Sequence, residues 1–173
     1  MSPMLAVLST PWFRVPALAV VVVTVQTVVI SQIHLLGSSP DLVVLCAVAG
    51  GLVGGPQRGT VAGFVFGLVY DLALTTPFGL WTLVLCVTGF AVGLTRNEAI
   101  RDNRWLQTAI VFLASGAAVV AYSGVATVFG SEGIFTLRLV PTALVIATVN
   151  AALTQPAMKV LRFAVIPGDR RPV

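Results

Sequence analysis

The sequence predicts an all-α integral membrane protein, a bundle of six transmembrane helices forming one polytopic domain over residues 1–173. Three observations predict it. The hydrophobic fraction is 57% and the mean hydropathy is +1.00. Charged residues make up only 9%, against about 25% in an ordinary soluble domain, too few to cover a soluble surface. The apolar residues fall into six runs, and the segments between and beyond them hold most of the basic residues, which is the pattern of spans and loops.

The first run, 15–36, follows Arg14. It is too long for the apolar part of a secretory signal, and five more runs follow it, so it reads as an uncleaved span. The second run, 41–55, would reach only about 22 Å as a helix, short of the ~30 Å hydrocarbon core. The third covers 58–75, the fourth 77–95, the fifth 105–129 and the sixth 139–155, with Pro156 near its inner end. A basic tail, MKVLRFAVIPGDRRPV, ends the chain. The short second and third runs, joined by GPQRG, also suit a re-entrant hairpin. That would leave Arg58 near mid-membrane at a cost of at least a few kcal/mol unless it is solvated or paired. Two full spans, with thinning or snorkelling at their ends, cost less.

Basic residues set the orientation. Of the ten, nine fall on one side of this map: Arg14; Arg58; Arg96, Arg101 and Arg104; and Lys159, Arg162, Arg170 and Arg171. Arg138 alone falls on the other. The bias places both termini in the cytoplasm. Trp12 and Trp105 then lie at the inner interface and Trp81 near the outer one, where indoles prefer to sit.

Several function classes are not indicated. No basic stripe with interleaved aromatics suggests nucleic-acid binding. Cys46 and Cys86 lie inside apolar runs and read as small hydrophobes. One histidine, His34, and no Cys/His spacing argue against a metal site, and no cofactor is indicated. AYSG, Ala121 to Gly124, departs from the GxSG of rhomboid proteases at its first position, and the sixth run holds no histidine to act as base. Ser123 therefore reads as a small packing residue, and no enzyme activity is expected. Asn150 and Gln155 read as interhelical hydrogen bonders.

The stretch GGLVGGPQRGTVAGFVFGLVYD, Gly50 to Asp71, holds seven glycines. Gly51, Gly55, Gly59, Gly63, Gly67 and Asp71 are spaced by four, and Pro56 interrupts the series. Gly59 to Asp71 would form one sloping helical ridge. In lipid, small residues let helix backbones approach closely, so the ridge either packs the spans of this molecule or receives a partner's helix. GFAVG, Gly89 to Gly93, offers a similar surface. Asp71 would lie about 20 Å along the helix from Arg58, and an unpaired carboxylate there is costly. It caps the next helix around Phe78–Leu80, bonds Thr75 or Thr76, recognises a partner segment, or takes part in proton transfer. The last would ordinarily need further buried ionisable groups.

The order Pro40–Asp41, Gly55–Pro56, Gly59, Gly63–Phe64, GLVYD at 67–71, PFGL at 77–80, then Gly89–Phe90 and Gly93, resembles the rod shape-determining protein MreD family. The specific part covers residues 40 to 93, with Gly79 among its positions. The resemblance implies a non-enzymatic scaffold of the cell-elongation machinery in the bacterial cytoplasmic membrane. Its expected partners are a single-span MreC-like protein and, indirectly, a RodA-type glycosyltransferase, a class B penicillin-binding protein and an MreB filament. It also implies a six-helix fold similar to the substrate-binding subunits of ECF transporters, which leaves a small-molecule-binding transporter subunit as the alternative. The first run departs from the AxxxA docking pattern of those subunits, since Ala17 and Ala19 are followed four positions on by Val21 and Val23.

Overall fold

The computed structural model of the chain describes residues 11–28, 41–74, 77–129 and 139–165. Pro40, His34, Thr75, Thr76, Glu132, Arg138, Arg170 and Arg171 lie outside the described residues. Within them run α1 (Pro11–Val28), α2 (Leu42–Ala73), α3 (Leu80–Leu94), α4 (Glu98–Asp102), α5 (Arg104–Val128), α6 (Leu139–Ala152) and α7 (Thr154–Val165). By length and composition α2 and α5 can each cross a membrane, and α6 with α7 makes a third candidate, bent by 60° at the break between them. α1 and α3 are shorter apolar helices.

α2 is not a straight rod. At Gly55 the backbone takes φ 80° and ψ −174°, a region essentially restricted to glycine. Pro56 follows with its φ already set for a helix start and no N–H to satisfy. The chain reverses there. A Cβ on Gly50 would lie 2.8 Å from the Ala62 Cβ, and one on Gly59 would lie 2.7 Å from the Gly51 Cα. In a straight helix these pairs would stand about 18 and 12 Å apart along the axis. At the open end, Tyr70 of the second arm comes beside Asp41 at the start of the first. α2 is therefore a helical hairpin, its arms 42–54 and 56–73 falling on the second and third apolar runs.

The first arm is the centre of the molecule. Every residue from Val43 to Val53 is buried, so it is apolar all round, as a core helix must be. Around it pack the second arm, α3, α1 through Ala19 and Val23, and α7 through Met158 and Leu161. The interface between α2 and α3 is the most extensive of the helix pairs. α5 and α6 form a second pair with a small cluster of their own, Val119, Ala143 and Ile146. Outward positions such as Leu83, Val87 and Leu113 are more than half exposed, the arrangement of a bundle whose solvent is lipid.

Two local features differ from the expected runs. The sixth run does not continue as one straight helix to 155: α6 stops at Ala152 and α7 starts at Thr154. Pro156 is the cause. It cannot donate to the Ala152 carbonyl and its ring crowds that carbonyl, while the flanking Leu153–Val149 and Ala157–Leu153 bonds survive. The segment 96–104 is also not a plain loop. Asn97 Oδ1 accepts from the Ile100 N–H at 2.8 Å, and Asn103 Oδ1 accepts from Trp105 and Leu106 at 3.0 and 3.3 Å. Each asparagine starts a helix in this way, so α4 and α5 follow one another closely.

Candidate functional site

The glycines of the hairpin meet the backbone of α3 in an antiparallel series. Gly67 faces Thr82, Gly63 faces Leu85, Gly59 faces Gly89, and Pro56 faces Gly93. A Cβ on Gly67 would sit 2.5 Å from the Thr82 Cα, one on Gly63 2.6 Å from the Leu85 carbonyl carbon, and one on Gly93 2.5 Å from the Pro56 nitrogen. No side chain fits at these distances, so the contact is backbone on backbone, held by dispersion and Cα–H···O approaches. The ridge and GFAVG are thus the two halves of one seam, each filled by the other. Gly51 joins from the first arm, where an added Cβ would lie 2.5 Å from the Gly89 oxygen. Three backbones converge at Gly89. The every-four spacing of Gly51 and Gly59 survives the turn between them because both arms present it to the same partner.

Asp71 closes the far end of this seam. It is 2% exposed. Its Oδ2 accepts from the Gly79 N–H at 3.1 Å, the Thr82 N–H at 2.9 Å and the Thr82 hydroxyl at 2.6 Å, and its Oδ1 accepts from the Trp81 N–H at 3.2 Å. The carboxylate therefore supplies the N-cap of α3 from another helix. α3 needs it, because its own cap position is Gly79, at φ 93° and without a side-chain oxygen. The negative charge also meets the positive end of the α3 dipole. Asp41 does the same locally for α2, its Oδ1 accepting from Val43 and Val44 at 3.0 and 3.2 Å. Gln26 of α1 adds a bond, Oε1 accepting from the Leu42 N–H at 3.0 Å.

Aromatic rings gather at the same end of the bundle. Trp81 stacks on Tyr122 of α5 with centroids 4.1 Å apart, and Tyr70 meets Trp81 at 5.4 Å and 53°. The approach of Tyr70 to Asp41 and this stack are not legible in the sequence, because each joins residues that only the folded bundle brings together. Deeper in the bundle, Asn150 Nδ2 donates to Ser115 Oγ at 3.1 Å, linking α6 to α5, and Thr154 Oγ1 returns to the Asn150 carbonyl at 3.1 Å across the bend. Gln155 makes no such link, its Nε2 being buried without a hydrogen-bond partner among the described residues. Ser123 is buried and its hydroxyl donates to the Val119 carbonyl of its own helix at 3.0 Å.

Of the sequence-derived positions, Asp41, Gly55, Pro56, Gly59, Gly63, Gly67, Asp71, Gly79, Gly89 and Gly93 all belong to the hairpin and its contact with α3. Among the described residues no group of three or more His, Cys, Asp or Glu could hold a metal ion. Cys46 and Cys86 are free thiols, and Cys86 Sγ approaches the Thr60 carbonyl across the seam at 3.7 Å. The hairpin is close-packed against a third helix, and a buried charge caps that helix.

The chain has no match among curated proteins or solved structures. The family model described as rod shape-determining protein MreD matches residues 8–164, nearly the whole sequence and well beyond the glycine segment. The chain is a member of the MreD family of rod shape-determining proteins.

Proposed function

We propose that this chain is a non-enzymatic scaffold of the cell-elongation complex in the bacterial cytoplasmic membrane. It binds a single-span MreC-like protein and, through that partner, supports a RodA-type glycosyltransferase and a class B penicillin-binding protein in building peptidoglycan. Membership of the MreD family carries this reading and favours it over a transporter subunit. In the proposed topology the two hairpin arms, α1, α3, α5 and α6 make six spans. The hairpin turn, α4 and α7 face the cytoplasm together with both termini.

The packing constrains where the partner binds. The seam between α2 and α3 leaves no room for another helix, so the partner's transmembrane segment docks on an outer face of the bundle. The test is a pull-down in which that segment, grafted onto an unrelated soluble domain, is offered to the full chain in detergent. Capture supports the scaffold reading; capture only with the partner's native extracellular domain moves the interface to the outer edge. A cysteine at position 101 should label only from the cytoplasmic side and one at position 78 only from outside; the reverse pattern rejects the orientation.

A further inference from the structure

At the turn end of the bundle lies a small cleft of about 60 Å³. Three arginines line it, Arg96 after α3, Arg101 on α4 and Arg162 on α7, together with Gln107 of α5. Its apolar wall is Leu52 and Val53 at the end of the first hairpin arm, with Met158 of α7. These three apolar residues are buried, so the cleft has a fixed floor. Arg96 reaches back over the turn, where a Cβ on Gly55 would stand 3.4 Å from its Nη1. Arg101 is held by its backbone: Gln107 Nε2 donates to the Ile100 and Arg101 carbonyls at 3.0 and 2.7 Å.

No acidic residue lines this cleft. Glu98 and Asp102 lie on α4, yet none of the three guanidinium groups makes an ion pair or hydrogen bond among the described residues. Gathering like charges raises the free energy of the empty site unless an anion joins them. Guanidinium is the side chain that meets a phosphate with paired donors.

We infer that this cleft binds the phosphate group of an anionic membrane lipid. Three observations favour a lipid over a protein segment. The space is small, suited to a headgroup and not to a folded element. Charge at the mouth and apolar side chains at the wall match an amphiphile. The third arginine is carried by α7, which turns 60° away from α6, buries Met158 and Leu161, and exposes Lys159 and Arg162, as a helix lying at a membrane surface does. This inference shares with the proposed function only the placement of the chain in a bilayer and needs no partner protein.

The test is lipid retention by the full-length chain in neutral detergent, followed by native mass spectrometry with phosphatidylglycerol. The triple variant Arg96→Gln, Arg101→Gln, Arg162→Gln should weaken retention at least tenfold. The control pair Arg58→Gln and Arg104→Gln removes charge from the same end but outside the cleft and should change it less than twofold. Equal losses in both would reduce the effect to general surface charge and overturn the site. Phosphatidylcholine should bind weakly to both forms. Inorganic phosphate displacing the lipid at equal concentration would assign the cleft to a soluble anion, and an acidic peptide doing so would assign it to a protein; either outcome overturns the lipid assignment. Should the triple variant not fold, single Arg162→Gln on the exposed face of α7 should lower retention severalfold, and unchanged retention there counts against the inference.

Discussion

The bundle treats charge differently at its two ends. At one end Asp41 and Asp71 are buried and accept hydrogen bonds from helix N–H groups and a threonine hydroxyl. At the other, Arg96, Arg101 and Arg162 surround a cleft without a counter-charge among the described residues. The carboxylates hold the fold together, since each starts a helix that would otherwise begin with orphan donors. The arginines hold no partner among the described residues. Buried, satisfied charge at one end and open, unsatisfied charge at the other mark where structure is made and where something can still bind.

The sharpest way to break this comparison is at Asp71. Asp71→Leu leaves the Gly79, Trp81 and Thr82 N–H groups without their acceptor, and each buried donor left unpaired costs about 1–3 kcal/mol. Detergent-solubilised protein should lose on the order of 3 kcal/mol or more, read as collapse of folded yield. Asp71→Asn should fall between parent and Leu. Its one oxygen can serve the Oδ2 partners, but its NH₂ then faces the Trp81 N–H. If Asn abolishes function at normal abundance, the charge has a role beyond capping.

Next in size are the seam glycines. Gly63→Ala already places a Cβ against the Leu85 carbonyl, so even this smallest change should cost about 1–3 kcal/mol by overpacking, and Gly63→Leu more. Val65 also lies off the four-residue spacing, but it is half-buried against the core. Val61, 50% exposed, is the proper control, and Val61→Leu should be near neutral in thermal unfolding. Equal losses at 61 and 63 would mean that the seam is not the tight contact. Smaller again is Tyr70→Phe, which removes a hydroxyl beside the buried Asp41 carboxylate and should cost about 0.5–1.5 kcal/mol.

These sites also show what the sequence could and could not reveal. The turn was legible because Gly55–Pro56 interrupts a four-residue glycine spacing, and only glycine takes φ 80° there. Capping of the next helix by Asp71 was one of several readings the sequence left open, and it did not indicate which donors the carboxylate would take. Gly51 was harder to place: spacing alone assigns it to a helix cut off by Pro56, and only the reversal shows that it returns to the same carbonyl as Gly59. The bend after Ala152 was missed because Pro156 sits at the edge of an apolar run, where a proline reads as a terminus. α4 was missed because its two asparagine caps lie in a segment whose charges dominate its appearance. What remained hidden in each case was a contact between residues distant in sequence, which hydropathy and spacing do not encode.

The smallest effect is expected at the arginine end, and its smallness is the point. In detergent without anionic lipid, Arg96→Gln, Arg101→Gln and Arg162→Gln should each change stability by about 0.5 kcal/mol or less, because no described partner is lost and some mutual repulsion is relieved. Thermal unfolding measured before and after adding phosphatidylglycerol separates the two ends. Ligand binding stabilises the state that binds by mass action, so the parent should gain melting temperature on lipid addition and the triple variant should not. Asp71→Asn, whose cleft is intact, should start lower yet gain as much as the parent. If it fails to gain, the two ends are coupled through the hairpin. If the triple variant is strongly destabilised without lipid, the arginines have a structural role and the contrast between the ends disappears.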